Sequence, residues 1–260
     1  HLGAGAGHRV CLDAELTGMG KGTTKPAQRK SGEGHNRTLD LATSSLREVN
    51  ETLQQATAGE FVVVNPRGAH ALAAGLQGDI DVTVKGHAGY YCGGMNKAAR
   101  ITIEGNAGTG VAENMMSGRV HVKGDASQSA GATGCGGLLV IDGNASARLG
   151  ISLRGLDIVV KGSVGHMAAF MAQAGNIVIL GDAGDALGDS IYEARLYVRG
   201  KVASLGADCI EKEMREEHRA DLRRLLDAAG VGPEVKVSEF RRYGSARQLY
   251  SFPIDNLGSY

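Results

Sequence analysis

The stretch GHAGYYCGGMNKAARITIEGNAGTGVAENMMSGRVHVKGDAS, Gly86 to Ser127, says nearly the same thing twice. Each copy is a short apolar strand, a closing glycine, a small polar turn and further glycines. The closing glycine recurs at Gly86, Gly105, Gly124, Gly143, Gly162, Gly181 and Gly200, 19 residues apart every time. Before each stands a pair of apolar residues separated by one: Val82 and Val84, Ile101 and Ile103, Val120 and Val122, Leu139 and Ile141, Ile158 and Val160, Ile177 and Ile179, Leu196 and Val198. Each triplet reads as a strand with two side chains pointing inward. An eighth, degenerate unit at Val62 to Gly68 leads the series with a spacing of 18. A fixed period near 20 is the mark of stacked repeats.

One strand and two turns per unit, with successive units bonding in parallel, make a β-helix. The fold expected is an all-β solenoid, a right-handed parallel β-helix of about eight 19-residue coils flanked by N- and C-terminal helices. A left-handed hexapeptide helix would need an 18-residue coil of three similar steps, and no six-residue step is visible. Composition agrees: 40 glycines, four prolines, no tryptophan and 4% aromatics in 260 residues leave stability to many small stacked aliphatics. Lys plus Arg equals Asp plus Glu at 28 each, which argues against a nucleic-acid partner. No apolar run approaches the roughly 20 residues of a membrane helix, and no signal-peptide core is visible, so the expectation is cytoplasmic.

Four parts are expected along the chain. Residues 1–34 lack periodicity and read as disordered or as an extension foreign to the domain. Residues 35–59 form a helical segment, opened by a capping box at Ser45 and Glu48 with Leu46, Val49 and Leu53 on its apolar face. The coils fill 60–206. Residues 207–260 hold a helix from Ala207 to Ala229, with Ile210, Met214, Leu222, Leu225 and Leu226 at helical spacing, and then a tail. That tail brings Arg241, Arg242, Tyr243, Arg247, Tyr250 and Phe252 together, either as a docking element or as a strap over the coil end.

Two positions test the register. Those just before the closing glycines are Lys85, Glu104, Lys123, Asp142, Lys161, Leu180 and Arg199, with alternating signs over five rungs. Opposite charges would therefore sit one strand spacing apart. The outward position in mid-strand runs Thr83, Thr102, His121, Val140, Val159, Val178, Tyr197, from polar to apolar. The later coils are therefore expected to be covered, by the C-terminal helix or by another subunit.

The turns after the glycines, such as Asn106-Ala107-Gly108 and Asp125-Ala126-Ser127, read as tight corners in which Asx side chains bond their own backbone. Seven repetitions exclude a phosphate loop, which is needed once, between a strand and a helix. His70, His87, His121 and His166 occupy different places in different coils and share no pocket; His121 alone is kept as a candidate general base. Cys11, Cys92, Cys135 and Cys209 form no C-x-x-C pair and read as free thiols rather than metal ligands.

The motif I-x-I-x-G-(N/D)-A-(G/S) with its later glycines resembles the GXGXG β-helix of the glutamate synthase large subunit. The same domain occurs as a separate chain in formylmethanofuran dehydrogenases and in a related formyltransferase/hydrolase complex, and membership of such a complex is the nearest competing expectation. The flanks TLDLATSSLREVNETL and EFRRYGSARQLYSFPIDNLGSY are most similar to the stand-alone GXGXG subunit of N-methylglutamate synthase (methylamine-glutamate N-methyltransferase). This resemblance implies a non-catalytic scaffold subunit of a multi-chain enzyme. Its partners would be a class II glutamine amidotransferase-like subunit and a synthase-like subunit with FMN and an iron-sulfur cluster. No catalytic, cofactor-binding or metal-binding residue is assigned to this chain. An autonomous hexapeptide-type acyltransferase using His121 is the alternative from another class.

Overall fold

The structure, a computed structural model, describes residues 37–247. The extension at 1–34 therefore lies outside the described residues. Nine strands run in parallel: β1 (Arg37–Asp40), β2 (Ala58–Val64), β3 (Asp79–Val84), β4 (Arg100–Ile103), β5 (Arg119–Val122), β6 (Leu138–Ile141), β7 (Arg154–Val160), β8 (Ala174–Ile179) and β9 (Arg195–Val198). Helix α1 (Leu46–Gln55) intervenes between β1 and β2. After β9 come β10 (Cys209–Lys212), helix α2 (Glu216–Ala228), a 3-10 turn (Val237–Glu239) and β11 (Arg241–Ser245). The result is a parallel β-solenoid.

From β3 to β9 the inward triplets keep the sequence period, Val84 facing Ile103, which faces Val122, and so on to Val198; the one shift lies at the start of β7, where Arg154 faces Ala174 but Asp157 faces Asn176. All fourteen inward residues of the seven triplets are buried, and they form one continuous core. A second ladder of single bridges runs through Ala88, Ala107, Ala126, Ala145, Val164, Ala183 and Val202. The leading unit departs from the expectation of an 18-residue step. Val63 faces Val84, so Asn65 rather than Gly68 precedes the first corner, and this whole coil, 21 residues from strand to strand, is two residues longer than the later ones.

Gly86 takes a positive φ, but the closing glycines from Gly105 onward are explained by close approach, which corrects the expectation that corner Asx residues bond their own backbone. Each corner side chain instead reaches the next coil. Asn106 Oδ1 accepts from the Asp125 N–H at 2.9 Å, Asp125 Oδ1 from Asn144 at 2.7 Å, Asn144 Oδ1 from Ser163 at 2.8 Å and Ser163 Oγ from Asp182 at 2.9 Å. His87 Nδ1 starts the series by accepting from Asn106 at 2.9 Å. The accepting oxygen occupies the space where a Cβ on the next glycine would project. At Gly162 a Cβ would lie 2.5 Å from Asn144 Oδ1 and 2.6 Å from the Gly143 carbonyl oxygen. Gly162→Ala must therefore displace backbone or break the ladder, at about 2–4 kcal/mol for the clash plus the lost hydrogen bond. Its melting temperature should fall by several degrees or more, whereas Gly230→Ala, which meets nothing within 4 Å, should cost less despite its positive φ.

A third wall carries no plain signal in the sequence. In each coil three alternate residues take positive φ, as at Ser129, Gly131 and Thr133, or Arg148, Gly150 and Ser152. Their N–H groups bond alternately to the following and the preceding coil: Ser129 to Ala147, Gly131 to Val111, Thr133 to Ile151. The middle member points into the core and is always small: Gly93, Ala112, Gly131, Gly150, Ala169, Gly188. The flanking members are mostly not glycine, and each left-handed residue costs about 1–2 kcal/mol that the backbone ladder must offset.

Both ends are closed. Ser45 caps α1, with the Glu48 N–H donating to Ser45 Oγ and the Ser45 N–H to Glu48 Oε2 at 2.7 Å, and the helix buries Val49 and Leu53 against the first coil. Helix α2 covers the outward face of the later coils. Val140, Val159, Val178 and Tyr197 are all 0% exposed and pack with Leu222, Leu225 and Leu226, whereas Thr83 and Thr102 stay half-buried. The expected cover is thus this chain's own helix, each aliphatic contributing about 1.5–3 kcal/mol on burial. The helix is shorter than expected: residues 209–212 form a strand, which removes Ile210 from the helical face and leaves it 42% exposed. The described part of the tail is a strap, with β11 antiparallel between β9 and β10 and Phe240 and Tyr243 buried. Tyr250 and Phe252 lie outside the described residues.

Candidate functional site

The charged row pairs as the period requires at Lys85–Glu104 (2.8 Å), Lys123–Asp142 (3.6 Å) and Lys161–Asp142 (2.8 Å). His121 joins this row, with Nε2 3.0 Å from Asp142 Oδ1. Burial draws the His121 pKa below its ordinary value, against the pull of the Asp142 carboxylate. Burial also pushes Asp142 up, but the hydrogen bonds from Lys161 and His121 outweigh it and hold the carboxyl below its usual range. Next to His121 on β5, Arg119 donates to the Ala228 carbonyl oxygen at 2.7 Å. It thereby satisfies one of the open carbonyls at the C-terminal end of α2. The geometry gives the cluster a structural part, securing the edge of α2 where the outward face turns from polar to apolar.

His70 and His87 are also spent on coil contacts. His70 Nδ1 accepts from the Tyr90 N–H at 2.8 Å and its ring stacks on Tyr90 at 4.4 Å, while His87 heads the corner ladder. Cys92 and Cys209 are buried free thiols, with burial pushing Cys92 up to about 12 and Cys209 to about 11, so neither is a ready nucleophile. Cys135 is disulfide-bonded, a correction to the expectation of free thiols throughout. Among the described residues no three His, Cys, Asp or Glu side chains converge as metal ligands would. No helix of these residues is long and apolar enough to cross a membrane.

Two clefts stand out on the described surface. One lies on the uncovered half of the outward face, between Phe61, Thr83, Lys85 and Glu104. The other, of about 250 Å³, lies where β9, β10, β11 and the start of α2 meet, and its lining includes Arg195, Lys212, His218, Arg242 and Arg247. The sequence marks Arg242 and Arg247 only as members of a tail. The cleft depends on an antiparallel return that no period announces.

The fold and its surface define a parallel β-solenoid whose repeat fits the GXGXG, glutamate synthase-like description. Protein GlxC of Rhizobium meliloti (strain 1021) is 60% identical to this chain over 226 residues, covering 85% of this chain and 99% of the relative. The chain belongs to the GlxC family. No family model matches it, and no solved structure does.

Proposed function

We propose that the chain is the scaffold subunit of a glutamate synthase-like N-methylglutamate synthase, which converts methylamine and L-glutamate into N-methyl-L-glutamate and ammonia. This scaffold has no catalytic residue of its own. It braces a class II amidotransferase-like subunit against a synthase-like subunit that holds FMN and an iron-sulfur cluster. The repeat and the flanking segments support this reading, as does a wall whose hydrogen bonds are spent from coil to coil.

The observation that carries it is a patch on the positive-φ wall. Tyr90, Tyr91 and Met95 are 51%, 49% and 50% exposed at positions where the next coil has Thr109, Gly110 and Asn114. Large apolar side chains held half in water on a rigid wall fit a protein partner. In co-expression with the two partner subunits, the tagged chain should bring down both in fixed stoichiometry. Replacing Tyr90 and Tyr91 by Asp should weaken capture while leaving melting unchanged. A chain that elutes alone from that co-expression would contradict the reading.

A further inference from the structure

The strap places cations side by side. Arg242 on β11 stands opposite Tyr197 on β9 and Lys212 on β10, and Arg195 lies two residues before Tyr197 on the same strand face. The first turn of α2 closes over them with His218, which is 4% exposed and whose Nδ1 accepts from the Arg215 N–H at 3.1 Å. Gly244, on the same strand face as Arg242, adds no side chain to the cleft.

These cations are unequally matched. Arg195 pairs with Asp221 at 2.9 Å, and Arg247 pairs with Asp208 and lies over the Tyr192 ring at 5.6 Å. Arg242 uses only Nε, donating to the Glu213 carbonyl oxygen at 2.9 Å. Among the described residues its two amino groups and Lys212 Nζ have no carboxylate. Glu193 is the one acidic residue of the lining, and it is exposed. The buried Tyr197 hydroxyl makes no hydrogen bond of ordinary geometry, although the Arg195 side chain lies close enough to act on it, and a buried polar atom is normally satisfied. Burial holds the Arg242 pKa below its ordinary value, and Arg195 and Arg215 act the same way, against the opposing pull of Tyr197 and of the exposed Glu217, whose carboxylate lies 3.4 Å from His218 Nε2. Burial likewise draws His218 down, helped by Arg242 and Arg195. Like charges gathered in a half-buried cleft are costly unless an anion joins them.

We propose that this cleft is a binding site for a small oxyanion, a carboxylate or phosphate group, held by the two free amino groups of Arg242 and by Lys212 Nζ. The planar guanidinium presents two parallel N–H donors of the spacing such groups accept, and Lys212 adds a point charge from the adjacent strand. The volume admits a small molecule, below the range of drug-sized pockets.

The test is isothermal titration of the full chain with inorganic phosphate and, separately, with glutarate. At least one should bind saturably at a single site. Arg242→Gln and Lys212→Gln should each weaken that binding about tenfold or more, the worth of one charge-assisted hydrogen bond. Arg154→Gln, away from the cleft, should leave it unchanged. If Arg242→Gln loses its fold, Lys212→Gln decides alone, because the Lys212 ammonium holds no carboxylate among the described residues. Absence of saturable binding by either probe, or equal affinity in wild type and a folded cleft variant, overturns the proposal.

Discussion

Ile141→Asp should leave no folded solenoid. Ile141 is 0% exposed and stacks between Val122 of the coil before and Val160 of the coil after. A carboxylate there has apolar neighbours above and below, and an unpaired buried charge costs several kcal/mol against a total stability of about 5–15 kcal/mol. The position magnifies the effect. In a solenoid each coil touches only its neighbours, so a defect in a middle coil also uncouples the coils on either side. Far-UV circular dichroism and gel filtration should report a collapsed or aggregated chain. Thr102→Asp, on the half-buried outward face of β4, should stay folded. A melting temperature for Ile141→Asp within a few degrees of wild type would mean that the inward assignment is wrong.

That assignment can be made from sequence because the solenoid repeats its own signal. One misread triplet is corrected by six others, and Val82 through Val198 all point inward as their alternation requires. The cover of the later coils is legible for a related reason: Val140, Val159 and Val178 form an apolar column only once the period is known. The reason for the closing glycines is not legible. A glycine looks the same whether it supplies positive φ or clears space, and only the stacked coils put Asn144 Oδ1 against Gly162. The positive-φ wall leaves a trace, the Gly-or-Ala column from Gly93 to Gly188. Its flanking members, such as Arg148 and Met171, obscure it by being residues that rarely adopt that conformation.

The ends of the stack resist for another reason. β1, β10 and β11 are each four or five residues long and belong to no repeat, so nothing in their sequence repeats the signal. Ile210 and Met214 match a helical spacing by coincidence, while Ile210 sits on a strand paired with Gly244. The cationic cleft gathers residues from 192 to 247 through that unforeseen pairing, so it cannot be assembled from spacing. His121 shows the converse. In the sequence it is a solitary outward histidine, and only the register brings it to Asp142, the carboxylate it shares with Lys161 and Lys123.

In the proposed role the chain is required for an activity whose chemistry resides elsewhere. A brace contributes by holding two other active centres in a fixed relation, and loss of that positioning can remove orders of magnitude of rate. The decisive measurement is N-methyl-L-glutamate formation from methylamine and L-glutamate by the amidotransferase-like and synthase-like subunits, assayed with and without this chain. Product should be almost wholly lost when the chain is omitted and restored when the purified chain is added back, and the chain alone should show no flavin or cluster absorbance. Full turnover by the two partners without it, or a flavin-coloured isolated chain, would rule out a scaffold role.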